Sequence, residues 1–157
     1  DELNRLIYGN KTSSKMKAII QIALETGMRQ GEILRIRPEH INDQTLYIPI
    51  AKTKPRTIPL TKKALEILNI IELPFELSGM YVSKKFKKLC KFYNINDAKF
   101  HDLRRQALTN FMKDKKLTVA ETMYISGHSD PKMLLKTYNN LKLINVSKKI
   151  NDVGEST

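Results

Sequence analysis

The sequence runs to 157 residues, 41% of them hydrophobic, and its 28 Lys and Arg outweigh 16 Asp and Glu for a net charge of +12. That length suits one domain with a core of its own, and the supply of Ile and Leu excludes a disordered basic tail as the main state. The charge selects a polyanionic partner, nucleic acid ahead of an anionic membrane surface, while no apolar run approaches the ~20 residues that span a bilayer.

Helices are expected first. Ser13 or Ser14 can cap a segment in which Met16, Ile19, Ile20, Ala23 and Leu24 recur at helical spacing, and Gly27 stops it. A short second helix is expected over about Gln30 to Ile36, ended by Pro38. The character then changes to strand. Thr45 to Ile48 and Thr57 to Leu60 are β-prone, and Lys52-Thr53-Lys54-Pro55-Arg56 between them reads as a hairpin with a basic tip. Pro49 and Pro59 cannot donate to a ladder, so both strands are expected at the edges of a small sheet.

From Thr61, a good N-cap, the pattern is helical to the end. Ala64, Leu65, Leu68 and Ile71 give one face, broken by Pro74. Val82 to Tyr93 repeats the pattern, with Phe86, Leu89, Cys90 and Tyr93 inward and lysines opposite. Leu103, Ala107, Leu108, Phe111 and Met112 make the next stripe, Val119 to Ile125 a short one ended by Gly127, and Leu134 to Leu143 another. The predicted class is mainly α with a small antiparallel β-sheet (α+β), one domain over residues 1–150 and a flexible tail over 151–157. Cys90, the single cysteine, excludes an internal disulfide and suits a reducing, cytosolic setting; beside Leu89 and Phe92 it is expected as buried packing. The first residue is Asp1 with no charged-then-apolar leader after it, so a fragment of a longer chain without a secretory signal is expected.

The charge is not spread evenly. Between Val82 and Lys116, 11 Lys and Arg face 3 Asp, a footprint suited to a phosphate backbone. Lys84, Lys85, Lys87 and Lys88 would position such a backbone without reading its sequence, if they are more than a solvated helix face. A membrane surface fits less well, because no exposed apolar edge lies beside these lysines.

Only 7 of the 28 basic residues are arginine, and two have unusual neighbours. Arg29 stands between Gly27 and Gly31, where the backbone can turn sharply and approach a bound group closely. Arg104 follows His101 by three residues, which puts both on one helix face. Gly127-His128 closes a later helix, and Tyr138 lies ten residues beyond His128. Arginine grips phosphoryl oxygens bidentately and stays charged. Two guanidiniums, two imidazoles and a lysine therefore describe a site for a pentacovalent phosphate, where neutralising oxygen charge supplies most of the catalysis. No Ser or Cys elbow is evident as nucleophile. A tyrosine could serve if a cationic nest lowers its pKa from about 10. Taken singly, each feature has an ordinary reading: a turn, a helix-start histidine, a packed tyrosine. Together and in this order they point to one chemistry.

These residues carry a family resemblance. Thr26-Gly27-Met28-Arg29-Gln30-Gly31-Glu32-Ile33-Leu34 resembles the first arginine box of the tyrosine recombinases, or phage-integrase family. His101-Asp102-Leu103-Arg104-Arg105 resembles its His-x-x-Arg box, Ser126-Gly127-His128-Ser129-Asp130 its Gly-His segment, and Ala51 to Leu60 its β-hairpin with a catalytic lysine. The resemblance spans nearly the whole chain and implies the recombinase catalytic-domain fold, with an N-terminal DNA-clamping domain absent.

It also implies roles. Arg29 and Arg104 would clamp the non-bridging oxygens of a scissile phosphate, His101 would support acid/base exchange, and His128 would steady the phosphate by a hydrogen bond. Lys52 would protonate the leaving 5′ oxygen, with Lys54 as the alternative acid. Tyr138 would be the nucleophile, giving a 3′-phosphotyrosine. Lys54, Arg56, the four lysines from Lys84 to Lys88 and Arg105 would bind DNA. The implied activity is site-specific DNA cleavage and rejoining, as in integration or recombination, with no ATP, no cofactor and no metal; three scattered histidines agree in offering no zinc site. The implied partners are double-stranded DNA and further protomers in a tetrameric synapse, with no membrane, in a cytoplasmic, nucleoid-associated setting of bacterial or phage-encoded origin. The apolar residues Leu141, Leu143, Ile144, Val146 and Ile150 could seat the tail on a neighbouring protomer or on its own domain. One departure stands out: the family spaces its Gly-His histidine and tyrosine nine residues apart. The extra residue here turns a helical side chain by about 100°, so a bulge or loop has to absorb it.

The rival functions are a DNA-binding module of the same fold without cleavage, a type IB topoisomerase-like nicking and closing enzyme, and a basic RNA- or ribosome-associated protein. The last accounts for the charge but not for the ordered motifs.

Overall fold

The fold rests on a computed structural model that describes residues 2–52 and 54–152. Its elements in chain order are α1 (Glu2–Tyr8), α2 (Ser14–Thr26), α3 (Gln30–Leu34), a 3-10 turn at Pro38–His40, β1 (Ile41–Asn42), β2 (Thr45–Ile48) and β3 (Arg56–Pro59). Then follow α4 (Lys62–Ile70), α5 (Gly79–Phe92), α6 (Phe100–Lys113), α7 (Val119–Ser126) and α8 (Lys132–Asn151).

The core forms around α2 because that helix is apolar on nearly every side. Met16, Ile19, Ile20, Ile22 and Ala23 are almost wholly removed from water, and α1, α4 and α6 pack around them. Its ends are set by local chemistry. Ser13 Oγ accepts the N–H of Met16 at 3.3 Å, and Gly27, at φ 67°, turns its own N–H back to the Ala23 carbonyl. A side chain at Gly27 would run into Leu108 of α6, so the glycine also permits the close α2–α6 approach. Thr61 caps α4 and Ser78 caps α5 in the same manner as Ser13.

The sheet is antiparallel in the order β1-β2-β3, with Ile41 opposite Leu46, and Ile48 opposite Arg56. Leu46, Ile48 and Ile58 form its buried face. The expectation of two edge strands is half corrected. β3 is an edge and carries Pro59, but β2 is central, because the short β1 pairs with its other side. Pro49 lies just past the end of β2 and so breaks no ladder bond. The strand β1 escapes sequence reading because two residues are too few for an alternating pattern.

The final helix also differs from expectation. α8 continues to Asn151, well beyond Leu143. The expected flexible tail over 151–157 falls mostly outside the described residues; Asn151 closes the helix and Asp152 caps it. Cys90 is buried, as its neighbours imply. No described helix is long and apolar enough to cross a membrane.

Candidate active site

Two helix ends and one helix start meet at Arg104. The guanidinium stands on the first turns of α6, 3% exposed. Nη1 donates to the Gly27 carbonyl at 2.6 Å, and Nη2 donates to the Ser126 carbonyl at 3.1 Å. Both carbonyls lie at helix C-termini, where the backbone dipole favours a cation. Burial, and next the nearby Arg29, push the Arg104 pKa down to about 10, so it stays charged at neutrality.

Arg29 approaches the same place from the turn after α2. Thr26 shapes that turn: its hydroxyl donates to the Ile22 carbonyl at 2.6 Å and accepts the Met28 N–H at 3.2 Å. Arg29 Nη1 then reaches the Ser126 carbonyl at 3.4 Å. Two guanidiniums thus share one carbonyl oxygen, a geometry that leaves each with further N–H donors.

His128 follows the left-handed Gly127 (φ 77°) that ends α7, and its Nδ1 lies 2.6 Å from Ser126 Oγ and 3.4 Å from Arg104 Nη2. His101, on the first turn of α6, lines a cavity of about 790 Å³ together with Arg29 and Arg104. Its floor is apolar, from Met28, Phe86 and Phe100, and Lys87, Lys91 and Lys99 stand around it. Both imidazoles hold a proton less tightly than a free histidine, through burial first and the charge of Arg104 second. The cluster therefore carries its positive charge on arginine and keeps its histidines neutral near pH 7.

Behind this group lies a buried ion pair that sequence reading missed. Glu32, with a side chain 3% exposed, accepts from Arg56 Nη1 at 2.8 Å and Nη2 at 3.0 Å, and from the Arg29 backbone N–H at 3.0 Å. Burial alone raises the Glu32 carboxyl, but the Arg56 and Arg29 hydrogen bonds and charges outweigh it and hold the group below its ordinary value. Arg56 Nε also donates to the Ile125 carbonyl at 2.9 Å, and its guanidinium lies where a side chain on Gly127 would sit. This corrects the assignment of Arg56 to the DNA surface. It belongs to β3, opposite Ile48, its side chain is 8% exposed, and it braces the Arg29 turn against the end of α7. The arginine three residues before Glu32 was legible in the sequence; the partner 24 residues away was not.

The remaining candidates lie apart. Lys52 and Lys54 are exposed in the loop between β2 and β3, on either side of Thr53, which lies outside the described residues. Lys84, Lys87, Lys88 and Arg105 are exposed, and Lys85 is half-buried. Tyr138 is not brought to the arginines. It is half-buried on α8 and lines a separate hollow with Met112, Leu117 and Leu141, while Lys142 Nζ lies 5.9 Å from its ring centre. Of the expected bulge or loop, no bulge lies within α8, which runs without interruption from Lys132 through Tyr138, so the extra residue falls to the loop of residues 129–131 before it. No group of three His, Cys, Asp or Glu that could hold a metal occurs among the described residues.

The model of the Phage integrase family matches residues 1–72, which include Arg29, Glu32 and Arg56. Across more of the chain, the shufflon-specific DNA recombinase of Escherichia coli is 35% identical over 145 residues, 86% of this chain and 37% of that protein. The chain thus resembles the phage integrase family over its first 72 residues and a named recombinase over most of its length. A second relative, a putative integrase/recombinase of Haemophilus influenzae, is 34% identical over 135 residues, 80% of this chain and 44% of its own length. The chain thus spans less than half the length of these curated relatives. Among solved structures, XerA recombinase superposes with a TM-score of 0.73 at 17% identity, covering 96% of this chain and 63% of that one. A lambda integrase dimer bound to a COC' core site gives 0.71 at 23% identity, covering 85% and 57%. These likenesses establish that the fold is the one shared by integrase family members.

Proposed function

We propose that residues 1–150 form the catalytic unit of an enzyme that cleaves and rejoins duplex DNA at specific sites. The observation that carries this reading is the convergence of Arg29 and Arg104 on the Ser126 carbonyl, with His128 alongside. Three side chains, from the ends of α2 and α7 and the start of α6, meet at one small volume, and a tetrahedral phosphate is the anion such a set fits.

In the proposed reaction the Tyr138 oxygen attacks the phosphorus of a DNA backbone phosphate, forming a 3′-phosphotyrosine bond as the bond to the 5′ oxygen breaks. The phenol proton passes to His101, which is kept neutral and able to accept it. Lys52, or Lys54, delivers a proton to the leaving oxygen. The reverse steps, with the 5′-hydroxyl of a partner strand, rejoin the DNA. Arg29 and Arg104 offset charge on the non-bridging oxygens throughout. Because Tyr138 lines a separate hollow, α8 has to shift, or another protomer has to supply the tyrosine, before attack. Exposed Lys84, Lys87, Lys88 and Arg105 hold the flanking duplex through its phosphates. Further protomers in a tetrameric synapse on double-stranded DNA complete the exchange, in a cytoplasmic, nucleoid-associated setting; the DNA-bound integrase dimer among the structural neighbours supports the first two partners.

The test is a pool of nicked duplexes that trap a cleaved strand. A protein–DNA adduct that survives denaturation, disappears in Tyr138→Phe and falls by about 10²- to 10³-fold in Arg104→Lys is the expected result. The displaced Tyr138 also favours a second reading, a DNA-binding module that cleaves weakly. Duplex binding with no adduct from any sequence in the pool would select it.

A further inference from the structure

His128 is held from one side of its ring. Nδ1 lies 2.6 Å from Ser126 Oγ. A ring carbon at that distance would be inside van der Waals contact, so the atom there is nitrogen. The same Nδ1 faces Arg104 Nη2 at 3.4 Å, and a guanidinium only donates. An N–H on Nδ1 would therefore confront a charged donor. Ser126 Oγ already accepts the His128 backbone N–H at 3.3 Å, which leaves its own proton for a neighbour. The two acceptors in reach are Nδ1 and the Met123 carbonyl at 3.4 Å, and the shorter contact wins. Both hydrogen bonds of the ring within the described residues fall on Nδ1, on the side away from Nε2.

We propose that Ser126 is a positioning residue that fixes His128 as the Nε2–H tautomer, so that the ring offers a hydrogen-bond donor at Nε2 toward the anion held by Arg29 and Arg104. Ser126 is fully buried and divides its two polar groups between two tasks. Its carbonyl accepts from both guanidiniums, and its hydroxyl donates to the imidazole. One residue thus sets the spacing of the arginines and the protonation pattern of the histidine. Burial, followed by the charges of Arg104 and Arg29, disfavours a second proton on the ring. A neutral ring has only one N–H to place. The identity of the anion as a DNA phosphate rests on the function proposed above; the tautomer does not.

The experiment is a two-bond proton–nitrogen correlation spectrum of the nitrogen-15-labelled 157-residue chain near neutral pH. His128 is expected to show an unprotonated Nδ1 and a protonated Nε2. In Ser126→Ala the pattern should average toward a mixture, and Ser126→Thr, which keeps the hydroxyl, should preserve it, with His40 and His101 signals reporting intact structure. Adduct formation in Ser126→Ala should fall about two- to tenfold, the effect of losing one hydrogen bond between neutral groups, at unchanged duplex affinity. A protonated Nδ1 in the wild-type chain, or a His128 spectrum unaltered by Ser126→Ala, overturns the proposal. The wild-type spectrum decides alone if that variant does not fold. A chain that forms no adduct but shows the Nε2–H pattern sinks the cleavage reading and supports the role of Ser126.

Discussion

Glu32 is joined to Arg56, and Arg104 to Ser126, by hydrogen bonds between groups withdrawn from water, whereas α8 runs for 20 residues with Leu134 as its one fully buried side chain. Leu143, Ile144 and Ile150 on that helix are more than half exposed. The contrast has a physical consequence. Groups that must oppose charge at a single phosphate gain from being fixed in advance, since they then cost no reorganisation during reaction. On the function proposed above, the nucleophile would sit on α8, whose exposed outer half can shift at low free-energy cost, while Tyr138 and Leu141 on its inner half pack against the core. Braced arginines and a tyrosine on a helix with one fully buried side chain would then be complementary solutions within one fold.

Removing the brace tests the first half of the contrast. Glu32→Ala strands the buried Arg56 charge and is expected to lower the free energy of urea unfolding by about 3–5 kcal/mol. The double variant Glu32→Gln with Arg56→Met should recover much of that, because no uncompensated charge is left. Recovery close to zero would mean that the pair does more than neutralise itself. Gly127→Ala should cost ~1–2 kcal/mol, from the left-handed backbone at φ 77°. The new methyl would also sit 3.0 Å from the Arg56 guanidinium. The loss should therefore shrink in an Arg56→Met background if crowding contributes.

A pH titration probes the same region more gently. His101 and His128 hold protons less tightly in the folded chain than the ordinary 6.5. As pH falls through that value the unfolded chain takes up protons first, so stability present above it is lost on acidification. The urea midpoint should drop between about pH 7.5 and about pH 5.5, and replacing both histidines with Gln should flatten the slope. Glu32 works in a lower window, losing its contribution only as pH falls below the ordinary 4.5. The smallest effect is expected on α8. Leu143→Ser, at a side chain 68% exposed, should change stability by less than about 0.5 kcal/mol. Amides beyond Leu143 should also exchange with solvent far faster than those of α2. Slow exchange along α8 would break the comparison.

Most helices with an apolar face were legible from residue order alone, though α1 was not and α8 runs past the expected end. Ser13, Thr61, Gly27 and Gly127 cap the elements their chemistry predicts. Arg29, His101, Arg104 and His128 were legible as a set, because each lies in a local pattern that chemistry singles out. Glu32 as the partner of Arg56 was not, since the two are joined only when β3 packs beside the Arg29 turn. Arg56 looked like a surface cation for the same reason: a basic hairpin tip and a buried arginine have identical local sequence. Ser126 was readable as the residue before a helix-ending glycine, but its carbonyl and hydroxyl acquire partners from α6 and from the turn after α2 only in three dimensions.

By itself, then, the sequence determined the mainly helical class, the basic character and the identities of the arginines and the histidine that meet at Ser126. These follow from periodicity, capping and side-chain chemistry, all of which act over a few residues. The tertiary structure alone decided that Arg56 turns inward, that β2 is a central strand, and that Tyr138 rests in a hollow of its own. Each of those depends on which surfaces pack together, and packing is settled by burial across the whole chain.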